Sequence, residues 1–169
     1  GNNLRADGTI SPKDTANVSA KVNGVAIEQV LVEEGQQVKA GQVLAVFDSD
    51  AAEQQILQAE AEVAEAEATL ANASADAARV LPLIDIDAIS RQEADRYRTA
   101  ELQARAALQA SKARLSNQKL NLNNSQVLAP VSGIISKKMA EVGMVSAGVS
   151  AGEPLFTIIK NGILEWQAD

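Results

Sequence analysis

From about Asp48 to Asn123 the chain contains no glycine, and its apolar residues recur every seven positions. Ile56, Val63, Leu70 and Ala77 are seven apart, and Ala59, Ala66, Ala73 and Val80 follow each by three. That is the a/d pattern of a helix packed along a seam against another helix. After an interruption at residues 82–88, Leu108, Leu115 and Leu122 repeat at the same interval, with Tyr97, Ala104 and Ser111 on the adjoining seam. The pattern predicts a two-helix coiled-coil hairpin over residues 49–123. Each helix of about 34 residues would rise about 50 Å at 1.5 Å per residue.

Charge and capping residues favour antiparallel pairing within one chain. Residues 49–84 hold seven acids (Asp50, Glu53, Glu60, Glu62, Glu65, Glu67, Asp76) against one base, Arg79. Residues 89–123 reverse this, with seven bases against three acids. Flanking ion pairs contribute only about a few tenths of a kcal/mol each, so they select the partner more than they hold the fold. Asp48 or Asp50 can cap the first helix, the latter with Glu53 three residues on; Ser90 with Glu93 is a capping-box pattern for the second.

On either side of the hairpin the pattern changes to short β-branched runs broken by glycine. In residues 18–47 the breaks are Gly24, Gly35 and Gly41; in residues 127–159 they are Gly133, Gly143, Gly148 and Gly152. Val22-Asn23-Gly24 matches Val131-Ser132-Gly133, and Gly41-Gln42-Val43-Leu44 matches Gly152-Glu153-Pro154-Leu155. An internal repeat of this kind means two equivalent half-modules. Neither has the apolar surface to fold alone, so residues 17–48 and 124–160 are expected to pair into one β sandwich. With two Phe, one Tyr and one Trp in 169 residues, a single bulky core is not available. The expected class is α+β.

Composition removes several functions. A net charge of −7, with no basic stripe, argues against nucleic acid. The absence of Cys and His excludes disulfides, thiol chemistry, zinc-type sites and a histidine general base. No run approaches the roughly 18 consecutive apolar residues of a membrane span. The acids of the first helix are spread along it with no loop to gather oxygens around Ca²⁺, which reads as a solvated face. Met139 and Met144 are expected in the core. No metal and no cofactor is expected.

Two glycine-punctuated half-motifs flanking an Ala-rich hairpin resemble the periplasmic adaptor proteins, also called membrane fusion proteins or the HlyD family, over nearly the whole chain. The resemblance implies a split lipoyl-like domain, of the biotinyl/lipoyl carrier type, that carries the hairpin and continues into a β-barrel. Residues 1–16, with Gly8-Thr9-Ile10, and residues 161–169, with Ile163-Leu164-Glu165-Trp166, would be strands entering and leaving that barrel, and the chain a piece of a larger protein. Adaptors that dock on TolC-like outer-membrane channels carry an Arg, a Leu four residues later and a Ser seven after that; Arg79, Leu83 and Ser90 have this spacing. The arms are similar in length to those of resistance-nodulation-division (RND) efflux adaptors.

The resemblance further implies a noncatalytic adaptor of the periplasm, anchored to the inner membrane in the full-length protein. Its partners would be a TolC-like outer-membrane channel, an inner-membrane RND transporter and further copies of itself in a ring. The alternatives are an adaptor of an ABC-type exporter or type I secretion system, and a lipoyl or biotinyl carrier domain. The carrier would need its modified Lys in the turn where the hairpin stands, whereas Lys39 and Lys138 lie elsewhere. Multidrug export is the commonest association of such adaptors. Two positions depart from the family motif: Val80 stands where an aromatic is common, and Pro82 should end or kink the first helix, because it lacks an N–H and clashes with the preceding turn.

The candidate docking residues also have ordinary roles open to them. Ser90 can contact a channel or cap a helix, and the two are compatible. Arg79, a lone base on an acidic helix, can donate several hydrogen bonds to a partner's carbonyls. Leu81, Leu83, Ile84, Ile86 and Ile89 make the tip apolar where a free hairpin should be polar. Some would close the coil over the turn, and the rest form an exposed cluster of the kind that marks partner sites. Asp85 and Asp87 keep that tip soluble.

Overall fold

The computed structural model describes residues 14–147 and 153–161. The strands expected at Gly8–Ile10 and Ile163–Trp166, and the turns at Gly148 and Gly152, lie outside the described residues. The chain divides into two compact units, one from the segments up to Ser49 and from Asn121 onward, the other spanning Asp50–Leu120.

The first unit is all β. Its strands are β1 (Thr15–Val18), β2 (Asn23–Val30), β3 (Gln37–Val38) and β4 (Val43–Phe47) before the helices, and β5 (Gln126–Leu128), β6 (Gly133–Lys138), β7 (Val145–Ala147) and β8 (Phe156–Lys160) after them. They form two four-stranded sheets in the orders β1-β8-β6-β3 and β5-β4-β2-β7. Each sheet takes two strands from each half of the repeat, and replacing every strand by its repeat partner turns one sheet into the other. Neither half can complete a sheet alone.

The hydrogen bonds repeat the same relation. Gly35 N–H donates to the carbonyl of Ile135 at 2.7 Å and Gly143 N–H to that of Ile27 at 2.9 Å, while Ile27 N–H reaches Met144 at 2.8 Å and Ile135 N–H reaches Gln36 at 3.0 Å. Both halves also break register at the same place, between Ile27 and Gln29 against β4 and between Ile135 and Lys137 against β8. Gly35 and Gly143 both adopt positive φ, +87° and +91°, which an L side chain rarely tolerates.

These pairings place equivalent residues of β2 and β6 108 apart (27 with 135, 35 with 143). Gly24 therefore falls opposite Ser132, one residue from the Gly133 that matching glycine to glycine pairs with it. The two glycines serve different needs. Gly24 sits at φ +72° with open space around it, whereas a Cβ on Gly133 would stand 1.9 Å from the Ile159 carbonyl oxygen. One supplies conformation and the other supplies room.

Ile27, Leu44 and Phe47 of the first half meet Ile135, Phe156 and Ile158 of the second in one buried cluster. The chain's two phenylalanines come one from each half and are both fully buried. Full burial of such a side chain stabilises by about 1.5–3 kcal/mol. Met139 and Met144 are not in this core. Both are exposed, at the rim of a groove of about 250 Å³ that they share with Ala20, Ile27, Phe47, Val145 and Leu155.

The second unit contains α1 (Asp50–Val80), a 3₁₀ turn (Leu81–Ile84) and most of α2 (Arg91–Asn123). The α1 seam holds Ala59, Ala77 and Val80 buried, with Ile56, Val63, Ala66, Leu70 and Ala73 partly buried between them. On α2, Ala94, Ala104, Leu108 and Ser111 are buried. Pairing is antiparallel: Arg114 Nε meets Glu62 Oε1 at 3.4 Å and Ser74 Oγ donates to Glu101 Oε2 at 2.7 Å, so residue numbers rise along α1 as they fall along α2. Tyr97, expected on the seam, is 36% exposed, while Ala94 three residues earlier is wholly buried. An alanine seam leaves no room for a phenol ring, whose hydroxyl is better served by water.

Candidate functional site

The tip of the hairpin begins where Pro82 forbids more α-helix. Pro82 lacks an N–H and its ring would clash with the carbonyl four residues back, so α1 stops at Val80 and the chain tightens into the 3₁₀ turn with Pro82 in its first positions. The tip is then closed by backbone bonds: Asp85 N–H to Pro82 at 3.3 Å, Asp87 N–H to Ile84 at 3.1 Å and Ala88 N–H to Leu83 at 2.9 Å. Asp87 reverses the chain in the left-handed region at φ +57°, which Asp tolerates better than most side chains do. Ser90 then starts α2. Its Oγ accepts the Glu93 N–H at 3.1 Å and its carbonyl accepts the Ala94 N–H at 3.0 Å, the geometry of an N-cap.

The candidate docking residues divide by exposure. Leu81, Leu83, Ile84 and Ile89 are half-buried and close the end of the coil, as a short turn with few other apolar groups requires. Ile86 remains 71% exposed between Asp85 and Asp87, and Ser90 is exposed as well. Arg79, in the last turn of α1, is 68% exposed and forms an ion pair with Asp76 three residues back. A cation there also suits the negative end of the helix dipole. Arg79, Ile86 and Ser90 are therefore the most accessible members of the set, while Leu81, Leu83 and Ile84, half-buried, both close the turn and leave part of their surface open at the tip.

Sequence reasoning missed Asp76 as the partner of Arg79, although the three-residue spacing of acid and base on one helix signals it. It also missed the groove beside Met139 and Met144. Aligning the halves by their bonding register exposes the reason: Leu31, Glu34, Gln36 and Gln37 correspond to Met139, Val142, Met144 and Val145. In the first half Gln36 Oε1 accepts the Glu33 N–H at 3.1 Å; an apolar Met144 cannot repeat that bond. Of the lysines weighed for cofactor attachment, Lys138 Nζ pairs with Glu33 at 3.0 Å, while Lys39 lies in a turn held by Gln42 Oε1. Among the described residues there is no group of three acidic side chains placed to hold a metal ion, and no helix is long and apolar enough to cross a membrane.

The family model for the barrel-sandwich hybrid domain of RND membrane fusion proteins matches residues 14–161. This chain belongs to that family. Over 142 residues it is 44% identical to the membrane fusion protein MtrC of Neisseria gonorrhoeae, covering 83% of this chain and 34% of MtrC. The multidrug resistance protein MdtA of Pectobacterium atrosepticum is 34% identical over 151 residues, 89% of this chain and 36% of MdtA. The chain thus spans about a third of the length of these curated relatives.

A crystal structure of a MacA–MexA chimeric protein, containing the Pseudomonas aeruginosa MexA α-hairpin domain, matches with a TM-score of 0.64 at 25% identity, covering 86% of this chain and 47% of that one. ZneB from Cupriavidus metallidurans matches with a TM-score of 0.62 at 20% identity, over 89% of this chain and 62% of its own, and shows the shared fold. For the family's barrel-sandwich hybrid domain, the intertwined sheets described above are the sandwich, and the paired helices are its insert.

Proposed function

We propose that this chain is the barrel-sandwich and hairpin part of a noncatalytic periplasmic adaptor that links an inner-membrane RND transporter to a TolC-like outer-membrane channel. The adaptor docks on the channel through the hairpin tip, with Arg79, Leu83 and Ser90 at its centre and Leu81, Ile84 and Ile86 around them. The observation that carries the reading is an apolar side chain, Ile86, held 71% exposed on a well-bonded turn at the same end of the hairpin as an accessible Arg79 and Ser90. The names of the relatives, a membrane fusion protein and a multidrug resistance protein, support efflux as the process.

The division of labour follows from chemistry. Arg79 presents several N–H donors suited to backbone carbonyls, Ser90 adds a hydroxyl whose Oγ already accepts one bond, and Ile86 supplies an apolar anchor. Transport energy comes from the transporter. Several adaptors pack side by side in a ring, and the full-length protein is held at the inner membrane.

The test is substitution in the full-length protein. Arg79→Asp and Ser90→Arg are each expected to abolish cross-linking to the channel and to lower efflux while leaving the fold intact by circular dichroism. Unchanged cross-linking together with unchanged efflux contradicts the docking reading.

A further inference from the structure

The α1–α2 pair has a seam of uneven character. Leu108 and Leu115 are large and repeat every seven residues, but seven residues before Leu108 the same seam position is Glu101, and seven before that it is Ala94. On α1 the residues nearest the tip are Ala73, Ala77 and Val80. Alanine against alanine offers almost the same surface after a shift of one turn, so packing in this part chooses poorly between registers. Something else must choose.

Polar side chains meet across the pair at levels that include Arg114–Glu62 and Ser74–Glu101. Arg114 and Glu62 are 58% and 41% exposed, so water and salt weaken that contact. The other level is half-buried: Ser74 Oγ donates to Glu101 Oε2 at 2.7 Å, and the Glu101 side chain is only 29% exposed, with Arg105 3.5 Å from the same oxygen. A half-buried carboxylate on a mostly apolar seam must keep its hydrogen bonds or leave its desolvation uncompensated, and a slip of one turn takes Ser74 away from it. A single polar residue on a coiled-coil seam fixes register at some cost in stability.

We infer that the Ser74–Glu101 hydrogen bond is the register pin of the tip-proximal half of the hairpin, and so sets the spacing between Arg79 on α1 and Ser90 at the start of α2. Glu101 acts here as a positioning residue. Its importance for docking rests on the tip reading given above; its effect on register does not.

The chain has no cysteine, so spin labels can be placed cleanly. Labels at Ala68→Cys and Gln92→Cys, both exposed and off the seam and lying well apart along the helix axis, report the register of the two helices by pulsed electron-electron distance measurement, because an axial slip then lengthens or shortens the distance almost directly. The expected result is one narrow distance for the parent protein and for Glu101→Gln, which can still accept from Ser74. Glu101→Leu and Ser74→Ala are expected to add a second distance displaced by about 5 Å, the rise of one turn, with the thermal midpoint of Glu101→Leu unchanged or higher. A single unchanged distance in both Glu101→Leu and Ser74→Ala overturns the inference, and Ser74→Ala decides the matter alone if Glu101→Leu fails to fold.

Channel cross-linking of the same variants in the full-length protein separates this inference from the docking reading. A several-fold loss alongside a split register supports both. A split register with undiminished cross-linking supports the pin and contradicts docking at the tip.

Discussion

The β unit and the hairpin are held by different physics, and the difference tells where stability resides and which end of the molecule suits the proposed recognition. In the β unit each sheet borrows strands from both halves of the repeat, and fully buried Ile27, Phe47, Ile135 and Phe156 fill the space between them. In the hairpin the seam is mostly alanine, with a few leucines and a carboxylate, so each layer buries little. A unit with interlocked strands cannot lose one piece without losing both sheets. A two-helix seam can be altered locally, and it ends in a turn whose side chains are free to meet a partner.

Substitutions can break that contrast, starting with the largest effect. Phe156→Ala should cost about 3–5 kcal/mol in denaturant unfolding of the β unit, through lost burial and a cavity. Gly133→Ala should be of comparable severity, because its Cβ meets the Ile159 carbonyl oxygen, which is backbone and cannot swing aside. If either is nearly neutral, the interlocked core is not what holds the module. Leu108→Ala, on one of the larger seam residues, should cost about 2–3 kcal/mol, at the low end of such truncations because the side chain lies on a two-helix surface. A cost equal to that of Phe156→Ala would erase the distinction between the two units.

Smaller still is Ser90→Ala, which should cost about 1 kcal/mol of helix stability by removing the acceptor of the Glu93 N–H. Hydrogen exchange of the first turn of α2 is the readout. Arg79→Ala should change stability least, since its pair with Asp76 is exposed and such pairs contribute at most about 1 kcal/mol. Under the proposed docking its effect is expected in channel binding, and a large fall in the thermal midpoint would assign Arg79 a structural role instead.

Much of this architecture was legible in the sequence because periodicity is physical. The seven-residue repeat from Ile56 to Val80 could only be a helix with one buried stripe, and the glycine spacing announced two copies of one β half. What was not legible depends on tertiary crowding. Tyr97 has the spacing of a seam residue, yet an alanine seam excludes it and buries Ala94. Gly24 and Gly133 look like one repeated glycine, yet one serves a left-handed turn and the other a close backbone approach. Met139 and Met144 read as core by hydropathy, but the residues they replace, Leu31 and Gln36, show that their positions face outward. At the tip, the proline break and the serine cap followed from local rules. Which of the apolar residues stay exposed did not, because that depends on how Leu83 accepts the Ala88 N–H and folds the turn back.

The central claim, that recognition belongs to the hairpin tip and not to the β unit, is tested most directly by photo-cross-linking in the full-length protein in cells. A photoreactive residue replaces Ile86 at the tip or, in a separate protein, Leu31, an exposed apolar residue of the β unit. The expected result is a covalent product with the outer-membrane channel from position 86 and none from position 31. A channel product from Leu31 with none from Ile86 would contradict the account.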